Sequence, residues 1–218
     1  MKAEHFFPQE DKERLEAAIR EAESKTSGEI VPYIVGRSDA YPEAGWIAAS
    51  LASLFVLFIF SFLDLTSATW MKFSIAQAGL FTVAGFIAGA GIVLIFPSLK
   101  LLIIPHHTIE LRVQERAKLA FFSEKIYLTR GRTGILIFLS LLERRVIVLC
   151  DEGINAKVKQ AEWDNIVRII VDGIKSSRPS EGLLKAITAC GTLLESENIS
   201  RGSDDTNELS DTIRIHES

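Results

Sequence analysis

Two uncharged apolar runs separated by a short polar link constrain this 218-residue chain more than anything else in it. The first, Trp46 to Leu63, is bounded by Glu43 and Asp64; the second lies between Lys72 and Lys100 and is most apolar from Ser74 to Phe96. A helix of roughly 20 apolar residues crosses a ~30 Å hydrocarbon core. Neither run shows the polar stripe that a soluble helix turns toward water. The reading is a transmembrane hairpin over 45–96. The alternative is a pair of buried helices in a large soluble core.

The remaining roughly 165 residues suit one globular domain of ordinary size. A net charge of −4 gives no reason to expect nucleic acid as a partner. Cys150 and Cys190 are too few for a disulfide framework and lack metal-site spacing, so buried free thiols are expected. Met1–Pro8 carries no basic and apolar leader pattern. The expectation is that the N-terminal segment stays on the cytoplasmic side and that the hairpin returns the chain there. Arg37, Lys100 and Arg112 outside the hairpin, against Lys72 in the link, lean the same way.

Gln9–Lys25 reads as a helix with Leu15, Ala18, Ile19 and Ala22 on one stripe, ended by Thr26-Ser27-Gly28. Glu29–Arg37 reads as a strand, and Pro32, which lacks a ladder donor, favours its edge or its beginning. After the hairpin, Thr108–Ile126 reads as a helix with Ile109, Val113, Ala117 and Ala120 on one face. Ile135–Ser140 and Val146–Cys150 read as a strand pair, both apolar enough to be covered on two faces. Trp163–Ser176 and a helix opened by Pro179-Ser180, with Ser180 as its cap, complete the pattern. Ser196–Asn207 reads as loose. The domain plan is 1–44 and 97–195 as two parts of one domain, 45–96 as the hairpin, and 196–218 as a polar tail.

The chain shows no Cys-x5-Arg loop, Walker loop or His-Glu-x-x-His motif, and Asp204-Asp205 lie in the polar tail rather than at a strand end. His106, His107 and Glu110 have helical spacing that suits either a metal or a solvated helix start. Thr129–Gly134, with Arg130 and Arg132, is either a phosphate cradle or a basic turn feeding a strand. Asp151, Glu152 and Asp164, with Asp172, are the best hard-cation candidates, against an ordinary strand-ending turn with solvated helix charges. Arg144 and Arg145 either meet lipid headgroups or form a solvated hairpin loop. Small residues around Gly85 and Gly89 let helix backbones approach closely in lipid, within the hairpin or at a homodimer seam.

Several stretches resemble a known family. The helix that ends in Thr26-Ser-Gly-Glu-Ile30 before a strand is similar to the TPM domain, named for the thylakoid-lumen, Psb32 and MOLO-1 proteins. So are Arg116-Ala117, Phe121 and the segment Thr129–Ile154. Trp163, Gly182–Ile187 and Asn207-Glu-Leu-Ser-Asp211 look like a bacterial membrane-inserted branch, although that branch would carry proline at Ser210. The resemblance implies an α/β fold: a small α/β/α sandwich with a mixed sheet, here interrupted by the two-helix transmembrane hairpin. It also links the chain to upkeep or modulation of membrane protein complexes, to acid phosphatase activity and to calcium binding. The expectation is therefore a multi-pass protein of the bacterial inner membrane that binds or scaffolds. Its partners would be the bilayer and an integral membrane protein. The alternative is a metal-assisted phosphomonoesterase. No cofactor is required; calcium or magnesium is the cation such a site would take.

Overall fold

The computed structural model describes residues 6–66, 74–199, 201 and 207–217; Lys72 and Asp204-Asp205 lie outside them. In chain order the elements are helix α1 (Gln9–Lys25), strand β1 (Glu29–Val35), helices α2 (Pro42–Thr66) and α3 (Ile75–Ile95), a short α4 (Lys100–Ile103) and α5 (His106–Ser123). Strands β2 (Gly134–Ser140) and β3 (Arg145–Cys150), the one-turn α6 (Glu152–Asn155), α7 (Gln160–Lys175), α8 (Pro179–Ser196) and strand β4 (Arg214–His216) follow. The chain divides into two compact units, Met1–Asp39 with Leu111–Ser218, and Ala40–Glu110.

The first unit is built on a four-stranded mixed sheet of order β3-β2-β1-β4. β1 pairs parallel with β2 and with β4, and β2 pairs antiparallel with β3. Side chains alternate across a strand, and the packing follows that alternation. Ile30, Ile34, Ile135, Ile137 and Leu139 join one core with Leu15 and Ile19 of α1, Trp163, Ile166 and Ile170 of α7, and Leu183, Ile187 and Leu194 of α8. On the other face Tyr33 stacks on Phe138 and on His216, and Glu124, just past the end of α5, pairs with Arg214 of β4 at 3.1 Å. The buried stripe of α5 (Val113, Ala117, Ala120) completes that second layer. α7 and α8 approach closely enough that a Cβ on Gly173 would meet the Gly182 Cα at 2.5 Å.

Four local expectations need correction. β3 is an edge strand with half-exposed residues, not one covered on two faces. Composition alone does not reveal strand order. β1 lies inside the sheet, but β4 pairs with it only from Tyr33 onward, so Pro32 sits where one side has no ladder partner. Arg178, not Ser180, is the cap residue of α8, and Pro179 occupies the first turn, where a missing N–H costs nothing. The polar tail is not a mere appendage, because residues 214–216 form β4.

The second unit holds α2 and α3. Both helices are long and apolar enough to cross a membrane, with mean hydropathies of 2.3 and 2.2. Only 6% and 11% of their most apolar windows are buried, so the described residues leave most of that surface uncovered. Trp46, Phe55, Phe58, Phe62, Ile75 and Leu94 are all exposed. Polar groups at the ends are satisfied locally. Ser74 and Gln77 form a reciprocal capping box at the start of α3, and the buried Lys100 ammonium donates to the Ala40 carbonyl.

Candidate functional site

The candidate residues fall at two opposite ends of the sheet. At the end where β1 begins, the 129–134 turn packs against the 151–153 turn. Gly153 N donates to the Arg132 carbonyl at 3.0 Å, and Asp151 N to that of Gly134 at 2.9 Å. A Cβ at Gly153 would lie 2.5 Å from the Gly131 oxygen and 2.7 Å from that of Arg132. Both are backbone atoms that cannot swing away. Gly153→Ala should therefore cost about 2–4 kcal/mol. A fall in melting temperature with the spectrum of the fold retained would show it.

Asp151 is buried and caps α6 by accepting the Glu152 amide on Oδ1 at 2.7 Å. Its Oδ2 has no hydrogen-bond partner among the described residues. The exposed Glu152 carboxylate pairs with Arg132 Nη1 at 3.4 Å. Asp164, on α7, is exposed and accepts from Gln160 at 3.0 Å. The structure thus brings Asp151, Glu152 and Arg132 into one neighbourhood and leaves Asp164 in a different local bond. Among the described residues no three His, Cys, Asp or Glu side chains converge on an ion-sized site; this holds for His106, His107 and Glu110 as well.

The amides of the basic turn are mostly engaged inside the protein. Arg130 N donates to Glu208 Oε2 at 2.7 Å, Arg132 N to the Thr129 carbonyl at 3.0 Å, and Thr133 N to Thr129 Oγ1 at 3.0 Å. The C-terminal segment supplies the carboxylate that an outside anion would otherwise provide. That segment is itself held, because Glu208 N and Leu209 N both donate to the Glu29 carboxylate, at 3.1 and 3.2 Å.

Beside this strap lies a cavity of about 210 Å³, lined by residues that include Arg20, Glu23, Thr26, Glu29 and Asp211. Glu23 is buried and takes the Ile30 amide on Oε1 at 2.7 Å, while its Oε2 lacks a hydrogen-bond partner among the described residues. Burial first, then the neighbouring carboxylates of Glu29 and Asp211, push its carboxyl up to about 8. Sequence reading missed this group. The one signal that could have found it is the acid pair Glu23 and Glu29 flanking Thr26-Ser-Gly, opposite Asn207–Asp211.

At the other end of the sheet, the segment leaving β1 is gripped by the β2–β3 loop. Leu141 N and Leu142 N donate to the Val35 and Gly36 carbonyls, each at 3.0 Å. Ser38 N donates to Glu143 Oε1 at 2.9 Å, and Asp39 pairs with Arg112 at 3.2 Å. Arg144 and Arg145 stand exposed on this loop, with Arg144 in the left-handed region at φ 54.

The thiols are poor nucleophiles in this setting. Burial pushes the Cys190 thiol up to about 12 and that of Cys150 higher still, with neighbouring Cys190 adding to the latter. In the second unit, a Cβ on Gly89 would meet the Ala48 oxygen at 2.6 Å, and one on Gly85 would meet a Val56 methyl at 2.7 Å. These two glycines are where α3 packs on α2, whereas Gly79 and Gly91 face open space.

Comparison with known proteins bears on the whole arrangement. The family model described as the TPM domain matches residues 92–193. Over those residues, a little under half of the chain, the sequence is similar to the TPM domain. The NMR structure of the BA42 protein from the psychrophilic bacterium Bizionia argentinensis is similar to it, with a TM-score of 0.58 at 20% identity. That alignment covers 96% of this chain and 95% of the other, and at such identity the likeness is one of fold. No curated protein matches the sequence. Within the TPM match lie both turns at the β1-start end, the β2–β3 loop and α7 and α8 up to Leu193.

Proposed function

We propose that this TPM-like protein is anchored in the bacterial inner membrane by α2 and α3 and acts by binding, as a scaffold or maintenance factor for a membrane protein complex. The observation that carries this reading is the uncovered apolar surface of the two membrane-length helices. Water would leave that surface at a cost of ~25 cal/mol per Å² of apolar area, and lipid removes the cost. Both soluble segments share the cytoplasmic side. A reporter fused after Thr66 should therefore read out as periplasmic, and one at the C-terminus as cytoplasmic. The reverse pattern would overturn the orientation.

The binding role is supported by the use already made of the candidate groups. Asp151 caps a helix, Glu152 holds Arg132, and Glu208 holds the Arg130 amide. Crosslinking in intact membranes followed by purification should return one recurring integral membrane protein; an empty result would count against binding.

One observation favours a second reading, a metal-assisted phosphomonoesterase. The buried, unpartnered Asp151 Oδ2 lies in the turn next to the Arg132–Glu152 pair, and a cation with a phosphate monoester would engage both charges. In that case the detergent-solubilised protein hydrolyses a generic phosphomonoester in calcium or magnesium, and Asp151→Asn abolishes it. Turnover indifferent to that substitution would come from a contaminant.

A further inference from the structure

The loop that grips the exit from β1 has its charges sorted. Glu143 is buried, with Oε1 on the Ser38 amide and Oε2 accepting from Ser140 Oγ. Ser38 Oγ and Ser140 Oγ lie 2.8 Å apart and close this inward cluster. The next two residues, Arg144 and Arg145, are exposed. Acid faces in and cation faces out. The other charges at this end are Arg37, the Asp39–Arg112 pair and Glu217, which follows the residue whose carbonyl accepts the Gly36 amide at 3.0 Å.

The gripped segment also fixes a length. α2 begins at Pro42, three residues beyond Asp39, and three residues span at most about 11 Å. With α2 as a membrane span, a leaflet surface lies within that reach of the loop's base. The other basic turn, Arg130 to Arg132, sits at the far end of a seven-residue strand, roughly 23 Å away.

We propose that Arg144 and Arg145 seat on anionic lipid headgroups of the leaflet that α2 enters, fixing which end of the sheet faces the bilayer. This rests on the membrane-anchored reading above. Arginine suits the task because its planar fork takes a phosphodiester through two parallel hydrogen bonds. An exposed arginine near an anionic surface gains about fivefold in local binding.

The test uses the full chain in lipid nanodiscs, one set of pure phosphatidylcholine and one with about a third phosphatidylglycerol. Amide hydrogen exchange is followed at residues 141–147. The expected result is exchange slowed about tenfold in the anionic discs, lost in R144E/R145E, and retained in R144K/R145K and in R130E/R132E. Because the loop variants are exposed, equal melting temperatures in detergent confirm that they fold. Equal exchange in both disc types, or slowing that survives R144E/R145E, overturns the proposal while leaving the anchor intact. A chain that does not enter discs at all overturns the anchor and this proposal together.

Discussion

Glu23→Gln should stabilise the chain above neutral pH and do almost nothing at pH 4. In the folded protein the Glu23 carboxyl titrates near 8, against 4.5 for the free group, chiefly because it is buried. The folded state therefore binds a proton more tightly than the unfolded one. Stability linked to this group is fully present below about 4.5 and is lost as pH rises through 8. Each unit of separation is worth ~1.4 kcal/mol, so the loss by pH 9 approaches 5 kcal/mol. Glutamine keeps an oxygen for the Ile30 amide and offers an N–H toward Asp211 without ever ionising. Melting temperatures in detergent should coincide for the two proteins at pH 4 and separate by on the order of 10 °C at pH 9. Parallel curves across that range would show that Glu23 is not held as a buried acid. Because Asp211 and Glu29 line the same cavity and hold the C-terminal strap, the strap should be cut sooner by protease at pH 9 than at pH 6 in the parent, and not in the variant.

Gly89→Leu should break the hairpin. Its Cβ alone would lie 2.6 Å from the Ala48 carbonyl oxygen and 2.8 Å from the Ala52 methyl, so α3 must move off α2 by an ångström or more before the rest of the leucine is placed. Between helices in lipid, packing of this kind rather than the hydrophobic effect supplies the association. A loss of about 3 kcal/mol is expected from the overpacked contact. Gly91→Leu is the internal control, since nothing lies near its Cβ. A cysteine pair across α2 and α3 should crosslink in the parent and in Gly91→Leu and fail in Gly89→Leu. If instead Gly91→Leu weakened a dimer while Gly89→Leu did nothing, the small residues would serve a seam between copies.

What could be read without coordinates follows from periodicity. α1 runs over Gln9–Lys25 as its stripe implies, and Leu15, Ile19 and Ala22 are buried. The β2–β3 pair follows from two apolar runs bounded by turn residues, whereas the parallel pairing of β1 with β2 is visible only in the fold. β4 could not be read, because a three-residue strand has no period and its partner, Tyr33 to Val35, is about 180 residues distant. The same separation hid the Glu23, Glu29 and Asp211 cluster, which three elements bring together only after folding. Asp164 joined the cation candidates on residue type alone. Its helix places it beside Gln160, one turn back.

Lipid around α2 and α3 is the claim on which the anchor, the orientation and the headgroup contact all depend. The direct measurement is alkaline carbonate extraction of membranes from cells expressing the full chain, followed by detergent. The chain should stay in the carbonate pellet and enter the supernatant only with detergent. Release by carbonate alone, or a monodisperse soluble species without detergent, would contradict it.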